Sequence, residues 1–168
     1  MAADDVKHVC IHGHFYQPPR ENPWLEEIER EESALPFHDW NDRITHECYE
    51  SCTAARLLDA KGRVQSQTNL YASISFDAGP TLLRWLEPNA PAVYGAMIDA
   101  DRESARRLDG HGNAVAMPYN HIILPLASRR EKVREIRWGL ADFRRRFGRE
   151  AEGFWMPETA VDEETLGV

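Results

Sequence analysis

Apolar residues recur along this chain in two rhythms. In 129–147 they fall three and four apart, at Val133, Ile136, Leu140, Phe143 and Phe147. That spacing places them on one face of a helix. Ser128 followed by Glu131 offers a capping box at its start, and Gly148 offers a terminator. The same rhythm in Ile44, Cys48, Cys52, Ala55 and Leu58 predicts a helix over 41–60, with Gly62 as its cap. TLLRWL (81–86) and PAVYGAMIDADRESARRL (91–108) also read as helical. Short apolar runs predict strands: one centred on Val9 to Ile11 within 6–15, then NLYASISF (69–76), AVAM (114–117) and EGFWM (152–156). Gly79-Pro80 ends the second of these, and Pro157, which cannot donate to a ladder, ends the fourth. Asp162 heads a last helix whose first turn carries Glu163 and Glu164.

Between the first strand and the 41–60 helix runs QPPRENPWLEEIEREESALPFHDW. Pro18, Pro19 and Pro23 exclude regular structure near its start. A loop this long in a compact domain is usually functional. The element order, β–α–β–αα–β–α–β–α, predicts an α/β fold of parallel strands joined by helical crossovers, either a barrel or a doubly wound sheet. Four strands are too few to close a barrel. The last helix has barely begun at Val168, so the chain is expected to be the N-terminal part of something larger.

The 168 residues suit one domain, and 42% apolar with 29% charged is a soluble, globular composition. Twenty basic against 28 acidic side chains leave a formal charge of −8, which argues against generic nucleic-acid binding. The basic cluster Arg144, Arg145 and Arg146 reads as a solvated helix face. No stretch has the length and apolarity of a membrane span. The start, MAADDVKHVC, lacks the features of a secretory signal, so a cytoplasmic location is expected. Cys10, Cys48 and Cys52 read as reduced thiols, the latter two as core residues.

In parallel α/β folds, reactive side chains gather at the carboxyl ends of strands. Four clusters lie there. His12-Gly13-His14-Phe15-Tyr16-Gln17-Pro18 leaves the first strand, and His12 and His14 share one side of extended chain. Asp77, after the second strand, reads as a turn or cap residue. His121 follows the third strand closely, and Trp155-Met156-Pro157-Glu158 leaves the fourth. A carboxylate beside an indole suits sugars, whose apolar faces stack on aromatic rings while their hydroxyls meet polar groups.

The order and spacing of these clusters resemble glycoside hydrolase family 57, whose members act on α-glucans. His14-Phe15-Tyr16-Gln17-Pro18 is similar to that family's first motif, with Tyr16 in place of a second histidine. His121 before Leu124-Pro125-Leu126 fits its second, and Trp155-Met156-Pro157-Glu158 its third. HGHFYQPPREN and FWMPETAVD look like a less characterised branch. The resemblance implies that residues 1–168 are the N-terminal portion of an incomplete seven-stranded (β/α) barrel catalytic domain. It implies a retaining glycoside hydrolase or glucan transferase with Glu158 as nucleophile. His12, His14, Tyr16, Gln17, His121 and Trp155 are implied to bind an oligo- or polysaccharide, with no metal or cofactor. The family's acid/base, an aspartate, is expected beyond residue 168, so residues 1–168 alone are expected to be inactive. Two rivals stand beside this reading. A metal-dependent carbohydrate deacetylase would hold zinc through His12, His14 and Asp77. A non-catalytic sugar-binding domain would keep the pocket without turnover.

Overall fold

A computed structural model describes residue 7 and residues 9–168. At its centre, four extended segments run parallel and side by side in chain order. Strand β1 spans His12–Phe15. It pairs with the strand Ser75–Ala78, His12 opposite Ser75 and His14 opposite Asp77. Ala114 continues the array by bridging Phe76, and Ala116 bridges Phe154.

Alternation along these strands sorts their side chains. Phe15 and Phe76 turn into an apolar core with Tyr49, Tyr71, Leu82, Leu83, Met97, Phe143 and Phe147. His12 and His14 take the other face. The first strand therefore begins later than the Val9–Ile11 run suggests. Val9 and Ile11 are 88% and 63% exposed, and pairing starts where Gly13 and Phe15 reach the core. Residues 6 and 8, at the head of that predicted strand, lie outside the described residues.

The helix predicted over 41–60 is cut short. It runs as α1 (Trp40–Ile44), a π-helical turn (Thr45–Tyr49) and α2 (Glu50–Thr53). The π turn holds an extra residue and breaks the 3.6-residue register. Cys48 is consequently exposed, and Cys52 is partly buried. Residues beyond Thr53 form an antiparallel hairpin, β2 (Ala55–Leu58) and β3 (Val64–Thr68). Asp59 decides this locally, because its carboxylate accepts the backbone N–H groups of Lys61 and Arg63. Gly62, at φ +76°, supplies the left-handed turn residue of the hairpin rather than a helix cap.

The strand expected over 69–76 is displaced for a similar reason. The Asn69 side chain accepts the Tyr71 N–H and winds Leu70–Ala72 into one 3₁₀ turn. Strand β4 (Ser75–Ala78) follows. Gly79-Pro80 then starts α3 (Pro80–Asn89), and α4 (Pro91–Arg107) succeeds it. Helix α5 (Arg129–Phe147) has the expected capping box at Ser128 and Glu131, and Gly148 in the left-handed conformation. Its buried face differs from the apolar stripe: Lys132, Glu135, Gly139 and Arg146 are buried with Phe143 and Phe147. Arg146 is thus no solvated residue, since Asp142, Glu87 and Tyr94 all bond its guanidinium. A short α6 (Glu163–Leu166) is capped by Asp162. Among the described residues no helix is long and apolar enough to cross a membrane.

Candidate active site

Cross-strand pairing of β1 with β4 puts a buried carboxylate between two imidazoles. Asp77 is fully buried. Its Oδ1 lies 2.9 Å from Nε2 of His12, and its Oδ2 lies 2.7 Å from Nδ1 of His14. A carboxylate only accepts, so both rings donate to it. In a neutral imidazole the second nitrogen is then an acceptor. Nδ1 of His12 faces the Ser75 hydroxyl at 3.0 Å, and Nε2 of His14 faces Nε2 of His121 at 3.0 Å. The resulting series runs Ser75–His12–Asp77–His14–His121.

Asp77 is therefore not the turn or cap residue that its place before Gly79-Pro80 suggests. Its site role has one sequence signal, its position at a strand exit. That signal is weak because aspartate before a Gly-Pro turn has an ordinary explanation.

Aromatic rings stack across the series. The Tyr16 ring lies 3.8 Å from that of His121, nearly parallel. The Trp155 indole stacks on both His12, at 4.8 Å, and His14, at 5.2 Å. Gly79 makes room for Tyr16, since a Cβ there would meet the Tyr16 ring at 2.8 Å. Burial raises the Tyr16 hydroxyl pKa above its ordinary value, against the opposing pull of Arg20. Burial, and then the neighbouring His14, lower the His121 pKa, so the neutral ring is favoured. The charges of Glu158 and Asp77 act on His121 in the opposite sense.

Glu158 leaves the fourth parallel segment in a one-turn 3₁₀ helix, Pro157–Thr159, started by Pro157. Its carboxylate is exposed, and its backbone is left-handed, at φ +58°. His121 shares that conformation, at φ +53°. Both positions are uncommon for residues with a Cβ and cluster at functional sites. The Trp155 indole N–H is buried and has no partner among the described residues.

His12, His14, Tyr16, His121 and Trp155 are thus brought together, with Glu158 near enough for its charge to act on His121. Gln17 is not in the group. Its amide donates to the Tyr49 hydroxyl and accepts from Arg20, which ties the β1 exit to the π-helical turn and the long loop. Among the described residues no group of three or more His, Cys, Asp or Glu side chains is arranged to hold a metal ion. His12, in particular, has both ring nitrogens engaged within the protein.

A family model described as Glycosyl hydrolase family 57 matches residues 21–168. The chain belongs to that family. Membership places it with the glycoside hydrolases and makes carbohydrate its substrate class. The family-57 match takes in His121, Trp155 and Glu158 but starts after His12, His14, Tyr16 and Gln17. The structure joins the two sets, because the β1 histidines touch His121 and Trp155 directly. No curated protein matches the chain, and no solved structure does.

Proposed function

We propose that this chain carries the nucleophile half of a retaining glycoside hydrolase or glucan transferase acting on α-glucans. Glu158 is the nucleophile. The observation behind the proposal is a ring-stacked histidine cluster on a buried carboxylate at the ends of parallel strands, beside an exposed glutamate. Trp155, Tyr16 and the imidazoles would contact a sugar ring. Glu158 attacks the anomeric carbon from one side, and the glycosidic oxygen leaves with a proton from an acid on the other. Water or an acceptor sugar then reverses these steps.

Retention requires two carboxyl groups roughly 5–5.5 Å apart. Asp77 is a poor candidate for the second, because it is fully buried and bonded to two histidines. The proposal therefore assigns the acid/base to an aspartate outside residues 1–168, within a (β/α) barrel that includes these strands. The deacetylase reading is less favoured, since Asp77 spends its two oxygens on His12 and His14, and His12 spends its other nitrogen on Ser75.

A fluorinated α-glucosyl fluoride, which forms the glycosyl-enzyme but turns over slowly, tests the assignment. Applied to the protein together with its acid/base region, it is expected to add one glycosyl mass to the peptide holding Glu158. Turnover of maltooligosaccharides with label on a different carboxylate would sink it. Undiminished turnover in Glu158→Gln would do the same.

A further inference from the structure

We propose that Glu135 of α5 is a positioning residue for His121, acting through Asn120; this rests on the reading of His121 as a sugar-binding group. Glu135 is 2% exposed. Its Oε2 accepts the Asn120 backbone N–H at 3.0 Å, and both carboxylate oxygens accept the Asn120 side-chain amide at 3.1 Å. Its backbone carbonyl accepts the Tyr119 N–H at 3.2 Å. The two residues preceding His121 are thus both fastened to one helical residue.

The fastening has a purpose at His121. A non-glycine residue at φ +53° persists where its surroundings over-determine it. One residue earlier, Asn120 is exposed, and little but Glu135 restrains its side chain. The imidazole so held lies 3.0 Å from His14 and stacks on Tyr16. Gly139, one turn along α5, closes the frame. An added Cβ there would collide with the Met117 carbonyl oxygen, so the helix and the segment leading to His121 meet backbone to backbone.

Packing alone does not call for a carboxylate here. Replacing a buried charge together with its partner by apolar residues of similar volume is often neutral or stabilising. Arg134 approaches Glu135 at 3.6 Å but is itself largely exposed, so it neutralises the charge weakly. What the carboxylate supplies is direction, since its two oxygens match the backbone and side-chain donors of one residue.

Histidine-labelled NMR can follow the His121 ring through a pH titration, with circular dichroism as the check on folding. His14, Tyr16, Asp77 and Glu158 surround that ring and stay unchanged in every variant. Glu135→Ala, and Asn120→Ala, which removes the amide held by both carboxylate oxygens without adding a charge beside His121, are expected to move the His121 titration toward that of an ordinary histidine. Glu135→Gln is expected to keep it near wild type, because a flipped Asn120 amide can pair with glutamine. Asn120 is exposed, so Asn120→Ala decides the matter should Glu135→Ala not fold. Wild-type titration in a folded Asn120→Ala protein would overturn the proposal. Maltoheptaose affinity measured in parallel is expected to fall about tenfold in the two disruptive variants, one hydrogen bond's worth. Unchanged affinity in His121→Ala would instead sink the sugar-binding reading of His121, leaving the clamp to stand or fall on the titration.

Discussion

Nδ1 of His14 lies 2.7 Å from Oδ2 of Asp77, and no part of Asp77 reaches solvent. This one contact fixes the His14 tautomer and so decides which nitrogen meets His121. The other oxygen does the same for His12. A buried carboxylate with two ring donors should be costly to remove. Asp77→Ala leaves both donors without their acceptor and is expected to destabilise the protein by about 1–3 kcal/mol. The measurement is the urea midpoint, with an unchanged slope marking a true stability effect. An unaltered midpoint would show that the histidines re-pair elsewhere.

His121 gives stability a pH dependence. Its pKa in the folded protein lies below the ordinary 6.5, because burial and then His14 oppose its charge. The unfolded chain therefore takes up the proton first as pH falls. Stability is complete above about 6.5, declines as pH drops from there toward the folded-state pKa, and levels off beneath it. His121→Gln, which cannot titrate, is expected to flatten that part of the profile. Urea midpoints taken between about pH 7.5 and pH 5 decide it. Identical slopes in both proteins would mean that another group governs the decline.

The ends of α5 were readable from the chain because they are local, and the parallel direction of the strands followed from the helices that separate them. The capping box at Ser128 and Glu131 and the stop at Gly148 depend on residues a few positions apart. The errors arise where a side chain competes with the regular pattern. Asp59 and Asn69 each bond nearby backbone N–H groups and turn predicted helix or strand into turns. The π turn at Thr45–Tyr49 leaves no mark in an apolar-spacing pattern. The site divides the same way. His12, His14, His121, Trp155 and Glu158 sit in recognisable clusters at strand exits. Asp77 looked ordinary because its meaning lies in two partners more than 60 residues away. Gln17, beside the histidines in sequence, points instead to Tyr49 and Arg20.

Gly139 tests how closely α5 must approach the third parallel segment, at Met117. Alanine there improves helix propensity by up to about 1 kcal/mol in an open setting. Here its methyl would strike the Met117 carbonyl. Backbone cannot rotate away as a side chain can, so the helix must shift. Gly139→Ala is expected to destabilise by about 1–3 kcal/mol, the usual range for overpacking. A gain in thermal midpoint would show that the approach is looser than described.

Glu158 carries a conformational cost that its chemistry would explain. At φ +58° its Cβ crowds the backbone, a state that costs an L-residue roughly 1–2 kcal/mol and glycine almost nothing. The exposed carboxylate offers no packing to offset that cost. Glu158→Gly relieves the strain but frees the unfolded chain, which works against it by about 0.4–1 kcal/mol. The net expectation is a protein as stable as the wild type or more so, up to about 1 kcal/mol, by urea denaturation. Glu158→Ala, which keeps the Cβ, is expected to show no such gain. The comparison separates strain from charge, since both variants lose the carboxylate. A glycine variant less stable than the alanine variant would mean that the left-handed turn is not strained. Where glycine stabilises while sugar turnover vanishes, the glutamate is held at that turn for its carboxylate rather than for the fold.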